Sequence, residues 1–66
     1  MQLTINGEIR PFQGIADVAG LVSALGLDTR KVAVERNLEI VPRSSLGDVC
    51  VEDGDDYEIV HFVGGG

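Results

Sequence analysis

The chain opens on an alternation of apolar and polar positions. In "QLTING", Leu3 and Ile5 face one way and Gln2 and Thr4 the other, the two-residue period of a half-buried strand. The Asn6-Gly7 pair that follows suits a two-residue type I′ turn, so the first element is predicted to be a β-hairpin. Its return strand, "EIRPF", contains Pro11, which has no N–H for a ladder and so belongs at a sheet edge. After Gly14 the period changes: Val18, Leu21, Val22 and Leu25 fall at i, i+3, i+4 and i+7, one face of an amphipathic helix. Asp17 is placed to cap its N-terminus and Gly26 to end it in the left-handed conformation. Gly20, inside the helix, costs about 1 kcal/mol relative to alanine, which points to a close approach of helix to sheet there.

"KVAVERN" and "LEIV" read as two further strands, with a turn near Asn37 and a stop at Pro42. "RSSLGD" reads as a loop or one short helical turn, "EDGDD" as an Asp-Gly turn, and "YEIVHFV" as the last strand. A single helix covers only one face of such a sheet, so the expected architecture is α+β. It is a β-grasp layout: a mixed sheet of four to five strands with the Val18/Leu21/Val22/Leu25 stripe laid across one face. The expected division is a β-grasp domain over 1–63 and a flexible glycine tail over 64–66.

Alternation in the last strand sends Tyr57, Ile59, His61 and Val63 to one face and Glu58, Val60 and Phe62 to the other. With Tyr57 and Ile59 under the helix, Val60 and Phe62 are expected on the open face, as an apolar patch of the kind that marks a protein-docking surface. The competing reading has them resting against a neighbouring loop.

Composition narrows the function. Sixty-six residues make one domain, and a domain of that size buries only about 60% of its unfolded surface, which leaves no room for a deep catalytic cleft beside the core. An enzyme is not expected. Eleven acids against five bases give a charge of -6, which opposes nucleic acid and anionic membranes and favours partners with basic faces. The single cysteine, Cys50, forms neither an internal disulfide nor a thiolate cage, and before the acidic "VEDGDD" it is expected to be a buried or half-buried structural residue. His61 lacks a sequence-local carboxylate or cysteine and is expected at the rim of a docking surface, not on a metal. Glu52, Asp53, Asp55 and Asp56 lack calcium-loop spacing and read as an acidic surface turn; Arg43 reads as solvated. No bound cofactor or metal is expected. No signal-like segment follows Met1 and no stretch approaches the roughly 18 apolar residues of a spanning helix, so the expected compartment is the cytoplasm.

The last three residues, Gly64, Gly65 and Gly66, do not fit a phosphate-binding loop, which needs a Lys-Ser/Thr and a following helix. A loose chain end is the plain alternative. The functional reading makes the carboxylate of Gly66 the working group, on an arm thin enough to enter another protein's active site. Extended, three glycines reach about 10 Å with no side chain to clash. Ordering them costs on the order of 1–2 kcal/mol each, so the body must dock first, and Val60 and Phe62 are the residues placed to do it. A carboxylate is a poor electrophile at neutral pH and needs activation. Adenylation with ATP, then displacement of AMP by a sulfur nucleophile, would leave a thiocarboxylate at Gly66.

Together "VAVERN", "EIVPRS", "EDGD" and "EIVHFVGGG" resemble the ThiS family, the small β-grasp sulfur carriers of thiamin thiazole biosynthesis, along the whole chain. The resemblance implies that Gly66 is adenylated and thiocarboxylated, with Gly65 its required neighbour; Gly64 completes the tail, and Val60, Phe62 and Val63, at the end of the last strand, are the residues expected to dock. The resemblance implies as partners a ThiF-type adenylating enzyme that consumes ATP, a sulfur donor such as a cysteine desulfurase, and thiazole synthase. Alternatives are a carrier for another acceptor (molybdopterin, cysteine or tRNA thiolation), a ubiquitin-like protein tag, and a non-covalent β-grasp interaction module.

Overall fold

Asn6 and Gly7 both take positive φ, 51° and 84°, the pair of left-handed residues that a two-residue hairpin needs. In the computed structural model, which describes residues 1–62, this turn joins β1 (Gln2–Ile5) to β2 (Glu8–Pro11). The two are antiparallel, with Ile5 opposite Glu8 and Gln2 opposite Pro11, and β2 lies at the sheet edge as Pro11 requires. Helix α1 (Val18–Ala24) starts where the Asp17 carboxylate accepts the Gly20 N–H at 2.8 Å. It gives way to Gly26 at φ 78°.

A 3₁₀ turn, Thr29–Lys31, leads into β3 (Val32–Arg36), which pairs antiparallel with β4 (Glu39–Val41); a second 3₁₀ turn, Arg43–Ser45, follows. The last strand, β5 (Asp56–His61), enters the middle of a five-stranded sheet of order β2-β1-β5-β3-β4. It runs parallel to β1 and antiparallel to β3. One face of this mixed sheet supplies Leu3, Ile5, Val32, Val34, Val41, Tyr57 and Ile59 to the core, and Val18, Leu21 and Val22 of the helix pack with them, joined by Leu46. Leu25 is only partly buried at the margin. Among the described residues no helix is long and apolar enough to cross a membrane.

Two expectations are corrected. A Cβ built on Gly20 would meet not the sheet but the Asp17 cap oxygen, at 3.3 Å; glycine here leaves space for the cap. Cys50 is exposed, not buried. Its backbone bridges antiparallel to Asp17, and the alternation of this extended segment turns Val49 and Val51 toward the core and the thiol outward.

Candidate functional site

Alternation along β5 places Tyr57 and Ile59 in the core and leaves Val60 and Phe62 on the open face of the sheet, 58% and 47% exposed. Val60 lies opposite Ala33 of β3, and the Phe62 N–H donates to the Lys31 carbonyl at 2.7 Å. Two pairs along, and so again on the open face, Glu58 faces Glu35, which in turn faces Ile40 of β4. The open face thus carries an apolar pair near the end of β5 and an acidic pair beside it. His61 is exposed, opposite Val32. The remaining residues assigned to function from the sequence, Val63, Gly64, Gly65 and Gly66, lie outside the described residues.

Beyond its ladders to β1 and β3, β5 is fixed at its end, near its middle and at its start. At its end is the Phe62–Lys31 bond. Near its middle the Asn6 side chain grips one residue of the strand from both sides: its amide oxygen accepts the Ile59 N–H at 2.7 Å and its amide nitrogen donates to the Ile59 carbonyl at 3.1 Å. At its start stands Asp55, 5% exposed. Its carboxylate accepts from Arg36 Nε at 2.9 Å, the Glu52 N–H at 2.9 Å, the Tyr57 hydroxyl at 2.9 Å and Asn37 Nδ2 at 3.1 Å.

The charge on Asp55 is set by competition. Desolvation pushes its carboxyl up, but the Glu52 N–H, Asn37, Arg36 and Tyr57 bonds together outweigh that and hold it below its ordinary value. Tyr57 moves the other way: burial first, and then its bond to the Asp55 carboxylate, push the phenol up to about 12. The acidic turn read from the sequence is therefore divided. Glu52, Asp53 and Asp56 are exposed, whereas Asp55 is a buried structural anion. A signal was present: Arg36 has the same parity as the core residues Val32 and Val34, and a guanidinium on a core face requires an anion beside it.

No cluster of His, Cys, Asp and Glu among the described residues could hold a metal ion. The open face presents Val60 and Phe62 to solvent, and Phe62 is the last described residue.

The ThiS family profile matches residues 3–66. A thiazole synthase of Paramagnetospirillum magneticum is 61% identical over the whole of this chain, and one of Magnetococcus marinus is 41% identical over the same span. The chain covers only 20% of the length of each of these two. The sulfur carrier protein ThiS of Bacillus subtilis is 37% identical, the match covering 97% of this chain and 98% of that one. The crystal structure of a thiamine biosynthesis protein (ThiS) from Geobacter metallireducens superposes with a TM-score of 0.83 at 38% identity, covering 100% of both chains. A five-stranded mixed sheet crossed by one helix, a full-length structural match and a family profile that takes in the terminal glycines lead to one assignment: the chain belongs to the ThiS family.

Proposed function

We propose that this chain is a sulfur carrier for thiazole formation in thiamin biosynthesis, acting through a thiocarboxylate at Gly66. The observation that carries the reading is the family match over residues 3–66, which includes Gly64, Gly65 and Gly66. The acceptor is supported by the two thiazole synthases of which a region like this chain forms 20%.

A free Gly66 carboxylate attacks the α-phosphorus of ATP in the site of a ThiF-type adenylating enzyme, giving the acyl adenylate and pyrophosphate. A sulfur nucleophile then displaces AMP: hydrosulfide gives the thiocarboxylate directly, whereas the terminal sulfur of a donor's cysteine persulfide, as on a cysteine desulfurase, gives an acyl disulfide that a second thiol cleaves to the thiocarboxylate and a disulfide. Thiazole synthase consumes the thiocarboxylate. The carrier's own residues supply recognition and delivery. Val60 and Phe62, with Val63 next along the chain, dock the body on the adenylating enzyme. Burying two such side chains is worth about 1.5–3 kcal/mol each, enough to offset much of the cost of ordering the glycines. The compartment that supplies these enzymes is the cytoplasm.

Intact mass spectrometry of the chain after incubation with adenylating enzyme, ATP and sulfide tests this. The expected product carries one sulfur in place of one oxygen, localised to Gly66 and dependent on ATP. A variant with one residue added after Gly66 should fold and remain unmodified; adenylation of that variant would overturn the reading.

A further inference from the structure

Leu38 occupies the second position of the β3–β4 turn with φ 71°, following Asn37 at φ 50°. Asparagine tolerates that region; a leucine there is strained. The strain has no intramolecular return, because Leu38 is 86% exposed. Two residues on, Ile40 is 78% exposed. On the open face Ile40 lies opposite Glu35, and Glu35 lies opposite Glu58. Like charges directly across a sheet oppose each other, and among the described residues neither glutamate has an ion-pair partner. One end of the sheet therefore combines a strained exposed leucine, an exposed isoleucine and an uncompensated acidic pair.

We infer that the β3–β4 tip, Leu38 and Ile40 with Glu35 and Glu58, is a docking element for an apolar pocket with a lysine or arginine rim on thiazole synthase. The inference rests on the proposed carrier function and adds a partner surface to it. Charge decides the rim: Glu35 and Glu58 continue the row that starts at Ile40, both on one side of it, so a basic border on that side is the complement that relieves their repulsion. The synthase is the occupant because the relatives at 61% and 41% identity carry a region like this chain within thiazole synthases. A lasting partner gives a strained residue a reason to persist. Val60 and Phe62 remain available to the adenylating enzyme.

The test compares Leu38→Gly with the parent chain, using purified thiazole synthase and, separately, the adenylating enzyme as probes in isothermal titration. Glycine accepts φ 71° without strain, so the variant should melt no lower than the parent. Its affinity for the synthase should fall about tenfold or more, and that for the adenylating enzyme should stay within about twofold. The double variant Glu35→Gln/Glu58→Gln should weaken synthase binding and flatten its salt dependence. Unchanged synthase affinity in Leu38→Gly, an equal loss toward both enzymes, or self-association of the parent abolished by the substitution would each overturn the inference. Absence of the thiocarboxylate in mass spectra would instead refute the underlying function, so the two failures are distinguishable.

Discussion

The hydroxyl of Tyr57, a fully buried side chain, donates a 2.9 Å hydrogen bond to Oδ2 of Asp55, the carboxylate that also receives Arg36 and Asn37. This pair ties the core to the turn that launches β5, so the strand that carries Val60 starts from a fixed point. Tyr57→Phe removes one donor and leaves the other partners of Asp55 in place. It should destabilise the fold by about 1–2 kcal/mol, measured as a lower urea midpoint at unchanged m-value.

The same carboxylate predicts how stability varies with pH. Its folded pKa lies below the ordinary value of 3.8, so its contribution is complete above that pH and is lost as pH falls through the folded value. Tyr57, raised to about 12 from 10.0, contributes below pH 10 and loses that contribution as pH rises through its folded value. Asp55→Asn should cost on the order of 2–4 kcal/mol at neutral pH and flatten the fall in stability as the pH drops below the ordinary carboxylate value of 3.8. Urea titrations across that fall decide it; an equally steep fall in the variant would contradict the assignment.

Asn6 does two things at one position, adopting φ 51° and bonding both the N–H and the carbonyl of Ile59. Asn6→Gly keeps the first and loses the second. We expect a loss of about 1–2 kcal/mol, with faster amide exchange at Ile59, whereas a turn residue of purely conformational importance would accept glycine at a few tenths.

Gly20 and Asp17 should be coupled. Alanine at Gly20 gains helix propensity of about 1 kcal/mol but brings its Cβ to 3.3 Å from the cap oxygen. The gain should therefore be larger in an Asp17→Ala background than in the parent, where Asp17→Ala alone costs about 1 kcal/mol. A double-mutant cycle by thermal denaturation measures the difference; strict additivity would contradict the cap geometry.

Phe62, 47% exposed on the open face, should tolerate a charge structurally. Phe62→Asp should leave the melting temperature within a few degrees of the parent. It should lower kcat/KM for adenylation by about tenfold or more. Unfolding would place Phe62 in the core and remove it from the docking face.

Local periodicity determined most of the fold. The Asn6-Gly7 hairpin, the Asp17-capped helix, the edge position forced by Pro11 and the split of Tyr57 and Ile59 from Val60 and Phe62 all follow from periods of two and 3.6 with the conformational limits of asparagine, glycine and proline. These are properties of neighbouring residues, so one chain suffices to read them. The terminal glycines and the segments "EIVPRS" and "EDGD" likewise resembled the ThiS family, to which the chain belongs.

Only the tertiary structure decided the rest. Asp55 stands among four other acids between Glu52 and Glu58, with nothing local to single it out, and becomes a buried anion because β3 brings Arg36 and Asn37 to it from 19 and 18 residues away. Asn6 reads as a turn residue and becomes a clamp because Ile59, 53 residues on, enters the sheet beside β1. Cys50 faces solvent because Val49 and Val51 take the core positions on either side. The exposed Leu38 and Ile40 share a sheet end with Glu35 and Glu58 through pairing across three strands. Each of these depends on which segments meet, and long-range pairing is a property of the whole chain that no local pattern of apolar and polar residues encodes.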